Sequence, residues 1–521
     1  GQSWSQISPD LTRHDPKTMG PSGGPITRDM NGPEVYAVIF ALAPSKRTEQ
    51  VIWTGSDDGL VHVTRNGGTS WTNVTPKDMP DFGRVSIIDA SAFDSASAYV
   101  AVKRPLLDDR APYVFRTHDF GKTWTKITTG LGPTDWVHVV REDPTRKGLL
   151  YAGTQHGVYI SYDDGDHWEP FSLNLPDLPV VDLSVEDDAL AIATMGRGFY
   201  VLDDVGPLRQ YDAKMAATRD AVLFAPAVAV RAAGPAAIKY WLKTPAQKVT
   251  VEILDPQGKV VRAFVPDTAR RGPNDSTRTD SAAAPAGGGR RGGAPSQAPS
   301  TRAGLNGVSW DLRVEPAKSF PGMVLWGGST TGPMVPPGKY TVRLTADGKT
   351  STQPITVKRN PMYAGVTDAD LRAQYALATQ LRDKVSEANG AVIQIRDLKS
   401  QITDRTKQST DAALKAKGDT LAAHLSAIEE DIYQVKNQSG QDPLNFPIKI
   451  NNRIASLLGV VANSEEKPIA AAYPIFTDLK AELKVHTDRL ARLLSTELTP
   501  FNLELRRVGL QPLALKAAAI Q

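Results

Sequence analysis

Cysteine is absent, which removes disulfides, zinc–thiolate sites, iron–sulfur clusters and thiol nucleophiles together. No sign of charge dominates: 60 Lys and Arg stand against 57 Asp and Glu, a formal net charge of +3. Neither nucleic acid nor an anionic membrane is therefore implied as a partner. No apolar run approaches the roughly 18 residues of a spanning helix. The opening Gly1-Gln2-Ser3-Trp4 has no Met, basic stretch or apolar stretch of a signal peptide. The eight histidines are scattered, and His118, His138 and His156 lack ligand spacing, so no metal and no cofactor is expected. What is present is length: 521 residues, enough at roughly 150 per domain for three or four domains.

An internal repeat organises the front of the chain. Thr64-Arg65-Asn66-Gly67-Gly68-Thr69-Ser70-Trp71, Thr117-His118-Asp119-Phe120-Gly121-Lys122-Thr123-Trp124 and Ser161-Tyr162-Asp163-Asp164-Gly165-Asp166-His167-Trp168 share one pattern. Gly1-Gln2-Ser3-Trp4 matches the tail of a fourth copy. Short β-rich runs flank each copy, such as Val51–Thr54 with Leu60–Val63 and Leu150–Gly153 with Val158–Ile160. A last unit, Leu190–Ala193 with Phe199–Leu202, ends in Asp203-Asp204-Val205-Gly206 without the pattern. The residue types suit a turn. The Asn66, Asp119 and Asp163 oxygens accept backbone amides, Gly68, Gly121 and Gly165 supply positive φ, and Trp71, Trp124 and Trp168 pack between neighbours. The pattern resembles the Asp box of sialidase-like and sortilin-like β-propellers. That resemblance implies about four blades in residues 1–210, part of a larger ring rather than a closed one.

Beyond Arg209 the texture changes. Residues 220–360 carry alternating strands with Pro-Gly and Asp-Gly turns, among them Val249–Leu254, Gly307–Leu312 and Pro337–Leu344, which point to a β-sandwich. Gly304 to Asp311 and Pro337-Gly338-Lys339-Tyr340-Thr341-Val342 resemble Ig-like modules. Residues 267–303, rich in Ala, Gly, Pro and Arg, are expected to form a disordered insertion in it. From Thr367, a three-four spacing through Leu371, Leu381, Val385, Val392 and Ile402 predicts one helix of about nine turns, opened by a Thr367–Asp370 capping pair. Further helices are expected at 409–436, 446–462 and 468–497, making 365–521 an antiparallel bundle.

The order of these regions, with Met195-Gly196-Arg197-Gly198-Phe199-Tyr200-Val201-Leu202-Asp203-Asp204, Trp310-Asp311-Leu312-Arg313 and Gln441–Pro447, resembles large secreted bacterial sortilin-like, BNR-repeat proteins often labelled glycosyl hydrolases. The resemblance implies an extracellular or periplasmic location, with a signal peptide upstream. It also implies an upstream propeller segment or a second chain that completes the blades. On such a fold, ligands meet the loops joining strand two to strand three of each blade. The binding candidates are therefore Asp57, Arg110, Gln155, His156 and Arg197, and the carboxylate pair of a glycosidase would be Asp58 with Asp109. Asp-Asp-Gly and Gln-His-Gly are also ordinary turn sequences, and no nucleophile with a base is evident. The preferred reading is a secreted scaffold that captures peptide or glycan on the propeller face. A xyloglucanase- or sialidase-like hydrolase and an assembly component oligomerising through its bundle are the alternatives.

Overall fold

The structure, a computed structural model, describes residues 3–21, 24–27, 35–266 and 298–515. Most of the expected insertion, 267–297, lies outside the described residues. The chain divides into two compact units, 1–212 and 213–521.

In the first unit, after a helical turn α1 (Gly24–Thr27), antiparallel meanders follow one another along the chain. The first sheet is β1 (Ile39–Pro44), β2 (Ile52–Ser56), β3 (Val61–Thr64) and β4 (Thr72–Asn73). The second is β5 (Arg84–Ala90), β6 (Ala98–Arg104), β7 (Asp109–Thr117) and β8 (Thr125–Lys126). The third is β9 (Val137–Glu142), β10 (Leu150–Thr154), β11 (Gly157–Ser161) and β12 (Glu169–Pro170). The fourth has three strands, β13 (Val180–Glu186), β14 (Ala189–Thr194) and β15 (Phe199–Leu202). Their first strands pack in chain order, β1 on β5, β5 on β9 and β9 on β13. Each joint is a separate apolar core: Trp53 and Val61 meet Val85 and Val100, Val114 meets Leu150, and Tyr151 meets Leu190. Sheets with two buried faces need apolar residues on both, which is why β10 reads Leu-Tyr-Ala-Gly-Thr without alternation.

The three repeated turns have one hydrogen-bond plan. The hydroxyls of Thr64, Thr117 and Ser161 each accept from the amide of Gly68, Gly121 and Gly165 at 2.9 Å. An Oδ1 of Asn66, Asp119 and Asp163 accepts from the amide four residues on, again at 2.9 Å. The indoles then reach the preceding unit: Trp71 donates to the carbonyl of Ile7 at 2.9 Å, Trp124 to that of Val74 at 2.6 Å, and Trp168 to that of Ile127 at 2.9 Å. The turn glycines have φ of +95°, +78° and +91°. A Cβ on them would lie 2.6 Å from the Ile7 oxygen, 2.7 Å from Val74 Cβ and 2.4 Å from Ile127 Cδ1. Glycine is thus required twice, by backbone conformation and by the closeness of the neighbouring sheet. The fourth unit lacks this turn and runs instead into a short helix, α2 (Gly206–Gln210). There Arg209 pairs at 2.9 Å with the buried Asp143, which directly follows β9.

The second unit opens with α3 (Ala213–Thr218) and two sheets. One has the order β16 (Ala221–Leu223), β18 (Ala236–Leu242), β21 (Gly304–Trp310). The other has β17 (Ala229–Val230), β23 (Lys349–Lys358), β22 (Gly338–Ala346), β19 (Val249–Leu254), β20 (Val260–Phe264). Both contribute to one core around the fully buried Trp310, Tyr240, Ile253 and Val342. Next comes α4 (Asp368–Lys407), 40 residues or about eleven turns, longer than the spacing predicts. Its capping box is formed: Thr367 Oγ1 accepts from the Asp370 amide at 3.1 Å and Asp370 Oδ2 from the Thr367 amide at 3.0 Å. The helices α5 (Ala412–Ile432), α6 (Ile450–Ala462) and α7 (Ala472–Leu493) pack on α4. A π-turn at 494–498 leads from α7 into α8 (Thr499–Arg507).

Sheets and helices, expected as separate domains at 220–360 and 365–521, are gathered in the one unit. The connection from β21 to β22 is the reason. Its Ala317 and Phe320 sit in the helical core, and Trp326 exchanges hydrogen bonds with Asn452. A buried Arg231 completes the joint. It meets Glu465 through two 2.9 Å bonds, donates to the Met334 and Val335 carbonyls, and reaches Gln374.

Candidate functional site

The loops expected to carry the site do join second to third strands: 57–60 after β2, 105–108 after β6, 155–156 after β10 and 195–198 after β14. Asp109 and Arg110, expected in the second loop, instead begin β7, and the candidate side chains divide into those held by local hydrogen bonds and those left available. Asp58 is of the first kind. It is 1% exposed, its Oδ1 accepts the Ser56 hydroxyl at 2.5 Å, and its Oδ2 accepts the Arg13 amide at 2.7 Å. Asp57 accepts the Val38 amide at 2.9 Å, and burial pushes its carboxyl above the ordinary range. Burial acts upward on Asp109 too. The Ala111 amide, the Tyr113 hydroxyl and Arg104 outweigh it and hold that carboxyl below the usual value. His156 pairs with Asp177 at 3.0 Å, while Arg110 and Arg197 are exposed.

The structure adds residues the motif reading passed over. Arg84 begins β5, Lys103 nearly ends β6 and His138 lies near the start of β9, so three strand ends deliver basic groups to one place. Lys103 Nζ lies 3.1 Å from His138 Nδ1, and His138 Nε2 lies 3.3 Å from Gln155 Oε1. An ammonium can only donate, so Nδ1 accepts and the imidazole proton sits on Nε2, pointed at the amide oxygen. Burial, followed by the Lys103 charge, lowers the His138 pKa to about 4. Burial, followed by Arg84, lowers that of Lys103. Among the described residues, neither Arg84 nor Lys103 has a carboxylate within ion-pair distance. A depression beside them is lined by Tyr36, Asp57, Phe82, Arg84, Lys103 and Arg104. The Arg84 charge acts on the Asp57 carboxyl in this depression, so one carboxyl stands against Arg84 and Lys103 and a net positive charge remains to favour an anion. Two basic residues at adjoining strand ends of one repeat, with a histidine near the start of the next, were the signal available in the sequence.

A second cluster joins a serine, a histidine and an aspartate. Ser97 Oγ lies 2.7 Å from His118 Nδ1, and His118 Nε2 lies 2.9 Å from Asp164 Oδ2. The Ser97 hydroxyl, 2% exposed, gives its proton to Asp94 at 2.8 Å. With Tyr99 bonded to Asp164 and Glu142, this network ties the second sheet to the third.

No family model matches the chain. A curated relative, the oligoxyloglucan-reducing end-specific xyloglucanase of Emericella nidulans, is 28% identical over 136 residues. These are 26% of this chain and 16% of the relative, so the chain spans a small part of that protein. Among solved structures, YCF48 from Cyanidioschyzon merolae is similar at 19% identity and a TM-score of 0.25, over 32% of this chain and 53% of that one. YCF48 bound to D1 peptide is similar at 14% and 0.25, over 44% and 68%. A GH74 xyloglucanase from Xanthomonas campestris is similar at 12% and 0.27, over 40% and 35%.

Proposed function

We propose that the chain is a binding protein whose strand-end face captures an anionic group of a peptide or glycan. The observation that carries this reading is the pair Arg84 and Lys103, basic, partly buried and outside any close ion pair, with Asp57 the one carboxyl lining the same depression, beside the neutral His138. An incoming carboxylate or sulfate would meet a guanidinium and an ammonium in a partly desolvated setting, where charge-assisted bonds are strongest. The same reading takes the turns at 64–71, 117–124 and 161–168 as Asp boxes of a partial, sortilin-like propeller. It takes 220–360 as an Ig-like sandwich, and the protein as one that works outside the cytoplasm. The test is a glycan and peptide array probed with the full chain. Anionic members should bind, weaken with added salt, and lose at least tenfold on Lys103→Met with Arg84→Met. Equal capture of neutral members, or an unchanged double variant, would overturn the reading.

A second reading, a glycoside hydrolase, is favoured by one contrast: Asp57 is shifted up and Asp109 down, the divergence an acid and base pair needs. The 28% segment shared with a xyloglucanase points the same way. Reducing-sugar release from xyloglucan oligosaccharides that falls a thousandfold in Asp57→Asn or Asp109→Asn would establish it. Asp58→Ala serves as the structural control.

A further inference from the structure

The joint between the third and fourth sheets has the socket of the other joints without the side chain that fills it. Between the first and second sheets, Trp124 stands with Val61, Val74, Val100 and Phe115 in one core. Between the second and third, Trp168 stands with Val114, Ile127, Leu150, Ala152 and Tyr159. The strand registers give the third set without ambiguity. Val100 faces Phe115, Ala152 faces Tyr159 and Ile192 faces Tyr200, while Leu150 and Leu190 hold equal places opposite Ser161 and Leu202. The counterparts in the last joint are thus Val158, Phe171, Leu190, Ile192 and Tyr200. All five line an apolar cavity of about 140 Å³. The fourth unit has Asp203-Asp204-Val205-Gly206 where the tryptophan-bearing turn would stand, so no indole of its own enters. An apolar cavity on the order of 150 Å³ is known to accept a benzene-sized guest.

The strand beside the cavity is short of a partner as well. In the other sheets the two residues after the tryptophan pair with the third strand: His62 with Asn73, Phe115 with Lys126, Tyr159 with Pro170. The residue after those donates its amide to Val61, Val114 or Val158, at 2.8, 2.9 and 2.7 Å. Among the described residues β15 ends its sheet with no such partner, and its Phe199 and Val201 are 82% and 57% exposed where Val158 and Ile160 are buried. We propose that this cavity and the β15 edge form a binding site for an extended segment of the pattern Trp-x-x-(Ile, Val or Phe). The segment adds as a fourth strand and seats its indole in the cavity. By the plan of the other joints, the indole N–H donates to the Phe171 carbonyl, the two middle residues pair with Val201 and Tyr200, and the last amide donates to the Phe199 carbonyl.

The pattern commits the occupant. Trp4-Ser5-Gln6-Ile7 has it, its Ile7 already plays the receiving part for Trp71, and its indole is fully exposed. That segment is the probe. The capped peptide Ser-Trp-Ser-Gln-Ile-Ser, carrying a fluorophore, is titrated by anisotropy into the full chain bearing Trp4→Ala. The peptide should bind saturably and slow amide exchange in 199–202, and its Trp→Ala form should bind at least tenfold more weakly. Self-association of the unmodified chain that Trp4→Ala abolishes would support the site and identify a second copy as the donor. If both peptides bind alike, if neither binds, or if protection falls away from β15, the proposal is wrong.

Discussion

The two units hold themselves together in opposite ways. The first repeats one joint: among the described residues each sheet packs chiefly on its neighbours in chain order, and each repeated turn sends glycine and tryptophan back to the unit before it. The second relies on contacts made once, above all Arg231, which meets Glu465 234 positions away. Repetition spreads stability over similar small parts, whereas a unique buried ion pair concentrates it. A fault in the first unit should stay local, and one at Arg231 should be felt throughout its unit.

That contrast can be broken by experiment. The largest effect is expected from Arg231→Ala, which leaves Glu465 facing a desolvated site and should cost about 3–5 kcal/mol by denaturant melts. Replacing both partners, Arg231→Met with Glu465→Leu, should recover most of the loss. If it does not, the pair is more than a mutual compensation. Next, Trp168→Ala, at an indole 3% exposed, should cost about 3–4 kcal/mol, while Trp71→Ala, at a half-buried one, should cost about 1–2. Hydrogen exchange should place the Trp168→Ala damage in the second and third sheets. Spread over the whole first unit would show that the repeats do not act separately.

The pH response sharpens the comparison further. His138 has a folded pKa of about 4, below its unfolded value near 6.5. Between those values the unfolded state binds the extra proton, so stability present above about pH 6.5 is lost as pH falls towards 4, by up to about 3 kcal/mol. His138→Gln should flatten that part of the first unit's melting profile and leave the second unit's unchanged. The smallest effect belongs to Thr367→Ala, which removes one half of a capping box and should cost about 1 kcal/mol.

What could be read from the sequence follows the reach of each interaction. The Asn66, Asp119 and Asp163 turns close within four residues, and the Thr367–Asp370 box within three, so composition and spacing reveal them. The long helix was visible through its buried Leu381, Val385, Val392 and Ile395, although its end was not, because Arg405 and Lys407 continue a good helix. The candidate site was half visible. Loop positions followed from the repeat: Asp57 and Gln155 lie in segments that join second to third strands. The commitment of Asp58 to Ser56 and Arg13 could not be seen, because Arg13 comes from an unpatterned segment 45 residues away.

The sequence by itself determined the turns, the strand and helix periods and the order of regions, since each depends on neighbours along the chain. Only the tertiary structure decided the rest. It brought Lys103 to His138 across 35 positions and seated Arg231 between sheets and helices. It also left a tryptophan socket open beside β15. The tryptophans at 4, 71, 124 and 168 are spaced unequally, so no fixed period relates one socket to the next. The relation lies in strand register, and register exists only once the sheets have formed.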